Sequence, residues 1–100
     1  MKFLSTRNSN LKISAREAIV KGISDDGGLF VSESFPKFDI SENLSLKYTD
    51  LAHKILSLYL TDFDSEELLK IIEKSYASFE NEIAKVTCKK DFYLELYHGR

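Results

Sequence analysis

The sequence predicts a small α/β unit of α+β-like build, in which short strands accompany about three helices. Three observations point there. Apolar residues recur at helical spacing in two stretches, Leu51, Ile55, Leu58 and Tyr59, then Leu68, Ile71, Ile72, Tyr76 and Phe79. That spacing puts them on one buried face of each helix. The last stretch alternates instead, with Phe92, Leu94 and Leu96 on one side and Tyr93, Glu95 and Tyr97 on the other, the two-residue period of a strand. Between residues 8 and 36, breaker clusters cut the chain into pieces too short for long elements.

The first strand is expected over Lys2 to Thr6, where Phe3 and Leu4 are the large apolar groups, and Asn8-Ser9-Asn10 reads as turn chemistry. Ser14-Ala15-Arg16-Glu17 is a capping-box pattern, with Ile13 and Ala18 at the staple positions. The helix it opens runs through Ala18, Ile19 and Val20 to Gly22, a good terminator. Ser24-Asp25-Asp26-Gly27-Gly28 is a tight loop, and Leu29-Phe30-Val31 is the strand that leaves it. Pro36 and Asp39 lie in a connector anchored by Phe35, Phe38 and Ile40.

Thr49 is the expected cap of the second helix, which Thr61-Asp62 ends. The third helix has the clearest start in the chain. Asp64 caps it, Glu67 is the box partner, and Phe63 with Leu68 forms the staple. Glu66 and Glu67 sit at its positive end, where the dipole favours them. The short link between the two helices predicts antiparallel packing. Lys85 to Cys88 and Phe92 to Tyr97 are the last two strand candidates, joined through Lys89-Lys90-Asp91. No repeat, low-complexity tract or long linker interrupts the pattern.

One hundred residues suit one domain, 1–100. A chain of this size buries roughly 60–70% of its unfolded surface, enough for one modest core. The net charge of −2 comes without a basic face, which argues against nucleic acid as a partner. Cys88 is the single cysteine, so an internal disulfide is excluded and a reducing, cytoplasmic setting is expected. Met1-Lys2-Phe3-Leu4 is followed by polar residues rather than an apolar run. Neither an export signal nor a membrane partner is expected.

The residues that could do chemistry are few. There is no phosphate loop of the GxxxxGK[ST] type, no HExxH, and no metal site is expected. Asp26, Gly27 and Gly28 read as a structural loop whose glycines take positive φ, ahead of an ion site. His53 lies opposite the Leu51/Ile55 stripe and reads as a solvated surface histidine. Cys88 reads as a small apolar residue rather than a nucleophile. Lys89-Lys90 reads as a solvated turn. His98, Gly99 and Arg100 follow a strand, and ligand sites of α/β proteins lie past the carboxyl ends of strands. These three residues are the candidate edge of a substrate site.

Three segments carry a resemblance, in order and across the whole chain. Phe3-Leu4-Ser5-Thr6-Arg7 resembles the "YxSTRG" opening of the threonine synthases. Residues 18–33, AIVKGISDDGGLFVSE, are similar to that family's "A…GLAPDGGLYVPE" block. Glu95-Leu96-Tyr97-His98-Gly99-Arg100 resembles the start of "ELFHGPTxAFKD". Three positions depart from the pattern. Asn8 replaces a Gly, Ser32 a Pro, and Arg100 stands where Pro is common. Asn tolerates left-handed geometry. An arginine at such a site could grip a phosphate through two parallel hydrogen bonds, or form a surface salt bridge.

The resemblance implies the amino-terminal part of a fold-type II enzyme dependent on pyridoxal 5'-phosphate. Its substrates would be O-phospho-L-homoserine and water, its products L-threonine and phosphate. Phosphate would leave from the γ-carbon and water add at the β-carbon. The lysine that holds the cofactor would lie shortly after Arg100, so no catalytic or cofactor-binding residue is expected within the chain. The chain alone is expected to be inactive and to need a missing catalytic domain as its partner. Two rivals remain. One is a non-catalytic relative of threonine synthase, which the next ten codons would distinguish by lacking an AFKD-like run. The other is a stand-alone interaction module, which would expose no large apolar patch.

Overall fold

A computed structural model describes residues 1–78, 84–88 and 90–96. Strand β1 (Phe3–Ser5) pairs antiparallel with β2 (Asn8–Ile13) on one side and β3 (Phe30–Ser32) on the other. The sheet order is β2-β1-β3, with β1 central. Helix α1 (Ala15–Lys21) follows β2 directly. Helices α2 (Tyr48–Tyr59) and α3 (Ser65–Tyr76) come after a connector that contains a 3-10 turn at Ser41–Asn43. Strands β4 (Ala84–Cys88) and β5 (Phe92–Leu96) form an antiparallel pair, with Val86 opposite Leu94. Short strands with three helices are thus what the structure contains. Phe79 and Tyr97, expected at the ends of the third helix stripe and the last strand, lie outside the described residues.

The caps follow the local chemistry closely. At α1 both arms of the capping box form. Glu17 N–H donates to Ser14 Oγ at 3.2 Å, and Ser14 N–H donates to Glu17 Oε2 at 3.1 Å. Gly22 ends the helix at φ +71°, a region that L side chains rarely adopt. At α3, Asp64 Oδ2 accepts from Glu67 N–H at 3.1 Å, but the expected return arm from Glu67 is not made. The Glu67 carboxylate turns instead to Arg16 Nη2, 3.4 Å away. The Phe63 ring lies under the same guanidinium, with Arg16 Cζ 4.3 Å from its centroid.

Two expected boundaries are corrected. Asn8-Ser9-Asn10 is the start of β2, and the turn lies one step earlier at Thr6-Arg7. The register shifts between Leu4 and Ser5, from Leu4 opposite Lys12 to Ser5 opposite Asn8. This irregularity accommodates a polar strand whose outer edge faces solvent. Thr49 is not the cap of α2. The helix begins at Tyr48 after Lys47, whose carbonyl accepts from Leu51 N–H at 2.9 Å without a side-chain cap.

Tyr48 at the start of α2 meets Tyr76 at the end of α3, edge to face, with centroids 5.4 Å apart. Contact between opposite ends makes the two helices antiparallel. Among the described residues the buried apolar groups are Ala15, Ala18, Leu68 and Ile72, and no large side chain is fully enclosed. α2 contributes no buried residue. Arg16 and the first residue bridge the sheet side to the helical hairpin. Arg16 N–H donates to Asp62 Oδ2 (3.0 Å), its Nε donates to Asp62 O (3.1 Å), and the Met1 amine donates to Thr61 Oγ1 (3.0 Å).

Candidate functional site

The loop from Ser24 to Gly28 crosses over the end of β1 and is tied to it. Ser24 N–H donates to Gly28 O at 2.9 Å, and Gly27 N–H donates to Ser24 O at 2.8 Å. The Asp26 carboxylate accepts Ser5 Oγ at 2.7 and 2.9 Å on its two oxygens, and Gly28 N–H on Oδ1 at 2.9 Å. Ser5 Oγ in turn accepts Arg7 N–H at 3.2 Å, and Arg7 Nη1 donates to the Asp26 carbonyl at 3.0 Å. Thr6 completes the seam, its N–H donating to Leu29 O and its Oγ1 accepting Leu29 N–H.

The glycines are required here, each for its own reason. Gly27 has φ +79°, whereas Gly28, expected to share that conformation, does not. What Gly28 supplies is space. A Cβ on this buried residue would fall on Ser5 Oγ and lie 3.0 Å from Asp26 Oδ1 and 3.1 Å from Arg7 N. Donors hold the Asp26 carboxyl below its ordinary value of 3.8: Ser5 most, then Gly28 N–H, against an opposing contribution from burial. Ser24 and the Arg7 charge add smaller amounts in the same direction as the donors. Ser24 Oγ itself is buried and outside hydrogen-bond geometry, so its contribution is a dipole near the carboxylate rather than a formed bond.

This arrangement is closed chemically. The N–H groups of Gly27 and Gly28 are spent within the loop and on Asp26, so the two glycines offer no free donor to an anion. Among the described residues no group of three or more His, Cys, Asp or Glu could hold a metal ion. Asp26, Gly27 and Gly28 form a loop hydrogen-bonded to Ser5 and Arg7. Their partners Ser5 and Arg7 are visible in the sequence only as a motif. Periodicity gives no sign that residues 19–21 positions apart would close on one another.

The other candidates divide. His53, expected on the solvated face, is half-buried. Its Nε2 lies 2.9 Å from Ser65 O and 3.1 Å from Ser65 Oγ, so it clasps the first residue of α3. The contact to a carbonyl requires the proton on Nε2. Cys88 ends β4, opposite Phe92. Lys90 is exposed, as a solvated turn requires, and Lys89 lies outside the described residues. His98, Gly99 and Arg100, the expected substrate-site edge, also lie outside the described residues.

Pyridoxal phosphate needs a lysine amine in a sheltered cavity and a cradle of donors for its phosphate. Three of the chain's lysines do not fit it. Lys21, beside the groove on α1, is ion-paired with Asp25 at 2.6 Å. Lys54 donates to Asn43 Oδ1 at 2.8 Å. Lys37 lines only an open depression, with Phe38, Asp39 and Ile40.

Comparison with known proteins gives these observations a context. Residues 2–76 match the family described as threonine synthase N terminus. Threonine synthase of Saccharomyces cerevisiae is 34% identical over 111 residues, spanning 97% of this chain and 22% of that protein. The crystal structure of threonine synthase from Escherichia coli superposes with a TM-score of 0.84 at 28% identity, over 99% of this chain and 24% of that one. The threonine synthase from Brucella melitensis, solved with PLP bound, shares the fold with a TM-score of 0.85 at 24% identity, over 100% of this chain and 23% of that one. The chain thus spans about a fifth to a quarter of the length of these proteins. By the match over three quarters of its length, and by the motifs that build the Ser5–Asp26 seam, this chain belongs to the threonine synthase N-terminal family.

Proposed function

We propose that this chain, as one domain over residues 1–100, is the amino-terminal unit of a pyridoxal-phosphate enzyme. The enzyme converts O-phospho-L-homoserine and water to L-threonine and phosphate, as part of amino-acid biosynthesis in the cytoplasm. The observation that carries this reading is the family match over residues 2–76. The relatives carry it within proteins four to five times as long. When bound, the cofactor supplies the electron sink for carbanion chemistry.

The chain's own contribution is architectural. The Ser5–Asp26–Gly28 seam fixes β1 against the loop before β3, and that rigid piece is a foundation for the catalytic body. His98, Gly99 and Arg100, which follow β5 in the sequence, are the proposed edge of the substrate site, with Arg100 the group suited to a phosphate ester. On this reading the lysine that holds the cofactor lies beyond Arg100, and the chain by itself neither binds the cofactor nor turns over substrate.

The test is phosphate release from O-phospho-L-homoserine by the full-length gene product with cofactor, beside the 100-residue chain. The expected result is release by the first alone, with borohydride trapping the cofactor on one lysine beyond Arg100. A full-length product that folds, binds the cofactor and releases no phosphate from this substrate overturns the reading.

A further inference from the structure

α2 is apolar over an arc of about 160° at 100° per residue, from Leu58 through Leu51, Ile55, Tyr48, Tyr59 and Ala52 to Leu56. Packing against α3 occupies only part of that arc. Leu68 and Ile72 of α3 are buried, but no residue of α2 is. Ile55 remains 37% and Tyr48 44% exposed. Between the helices lies a groove of about 250 Å³ lined by Tyr48, Leu51, Ala52, Ile55, Leu56 and Tyr76, with no charged side chain among them.

The second groove, on α1, differs. Its lining includes Arg16, Glu17 and Lys21, each already engaged in a cap or ion pair. Overall, the accessible surface of 7931 Å² is about a third more than a compact chain of 11.5 kDa exposes. The radius of gyration, 16.1 Å, likewise exceeds the roughly 13 Å of a compact domain of this length.

We propose that the α2–α3 groove is the seat of an apolar segment of the catalytic body, which packs along α2 beside Tyr76 of α3. This rests on the proposed function and names the surface through which the two parts join. Length argues for that occupant, because the matched relatives carry more than three quarters of their chain outside the part this sequence spans. Chemistry argues for it too. A groove lined without a charged side chain accepts an apolar helix or strand edge and offers no charge to a nucleic acid or an ionic ligand. Shape argues against a second copy, since a two-fold interface would set one concave groove against another and leave a void.

The test places one cysteine at Leu56 (L56C) and, in a second variant, one at Lys70 (K70C), on α3 outside the groove lining. Both are made in the full-length enzyme, and thiol labelling is followed peptide by peptide by mass spectrometry. Native L56C is expected to label at least about tenfold more slowly than native K70C, with the difference lost in urea. Equal native rates overturn the proposal. Slow labelling that speeds up on dilution, together with the mass of two copies, also overturns it and assigns the groove to a dimer. Phosphate release measured on the same samples separates the two ideas. Fast labelling in an active enzyme sinks the docking surface alone, and slow labelling in a protein inactive on this substrate sinks the activity alone.

Discussion

Ser5 and Asp26 are joined by a hydroxyl that donates to both carboxylate oxygens, at 2.7 and 2.9 Å, across twenty-one residues of sequence. Ser5 is 3% exposed and sits on the central strand, while Asp26 belongs to a loop. A loop pinned to a central strand cannot drift without breaking a hydrogen bond at a buried group, which water would not readily replace. This link makes the first strand and the glycine loop one rigid piece.

That piece is sensitive to acid in a defined way. Asp26 ionises more readily in the folded chain than its ordinary 3.8, chiefly because Ser5 and Gly28 N–H donate to the charged form. A lowered folded value means the carboxylate contributes stability above the unfolded value, and that this is lost as pH falls through the folded one. The window is therefore below about pH 4. Asp26→Asn is expected to lower the urea midpoint at pH 7 and to reduce the fall between pH 7 and pH 3. Other acid-sensitive groups, such as Asp39, act alike in both proteins and cancel in the comparison. Equal acid sensitivity of the Asp26→Asn variant and its parent would remove the assigned role.

The glycines separate two kinds of cost. Gly22→Ala meets nothing within 4 Å but keeps φ +71°, so backbone strain of about 1–3 kcal/mol is its whole penalty. Gly28→Ala has no positive φ, but its methyl group falls on Ser5 Oγ, an overpacking cost of about 1–3 kcal/mol or more. The two are told apart by a second substitution. In a Ser5→Ala background, Gly28→Ala is expected to cost less, while the cost of Gly22→Ala stays the same. Denaturant midpoints of the four variants and the two parents decide it.

The caps predict a similar pair of outcomes. Ser14→Ala and Asp64→Ala each remove a donor's partner at a helix start and are expected to destabilise by about 1 kcal/mol. Glu17→Ala is expected to add a loss at α1, where the reciprocal arm exists. Glu67→Ala should leave the Asp64 cap intact, because the α3 box is open on that side. Equilibrium unfolding followed by far-UV circular dichroism measures all four.

How far the sequence carries a reader depends on the range of the interaction. Ser14-Ala15-Arg16-Glu17 announces its box because both partners lie within four residues, and Gly22 ends its helix for reasons local to that turn. The 92–96 alternation likewise reveals a strand without reference to its neighbour. Asn8-Ser9-Asn10 misleads because turn residues also tolerate an exposed edge strand, where the pairing of Asn8 with Ser5, and of Lys12 and Ile13 with Leu4 and Phe3, decides the outcome. His53 misleads for the same reason. Its helical face reads as solvent until α3 folds back and brings Ser65 within 3 Å of the ring. The glycine loop is legible as a turn, but its lock on Ser5 is a tertiary fact with no periodic signature.

Glu67 shows how one such fact changes a local motif, and Arg16 is the cause. The guanidinium covers the Phe63 ring at 4.3 Å, donates from Nε to Asp62 O at 3.1 Å, and reaches Glu67 Oε2 at 3.4 Å. The ion pair is half-exposed on both sides and adds at most about 1 kcal/mol. The ring contact adds about 0.5–1 kcal/mol at an exposed site. Arg16→Ala is therefore expected to destabilise by about 1–2 kcal/mol, with most of the loss surviving in high salt because stacking and the carbonyl bond are not screened as the ion pair is. Arg16→Lys should recover only part, since an ammonium cannot stack flat on Phe63 while donating sideways to Asp62. A double-mutant cycle of Arg16→Ala with Phe63→Leu isolates the ring contact, with an expected coupling of about 0.5–1 kcal/mol. Coupling indistinguishable from zero, or a loss abolished by salt, would mean that α1 is held to the α2–α3 turn by charge alone.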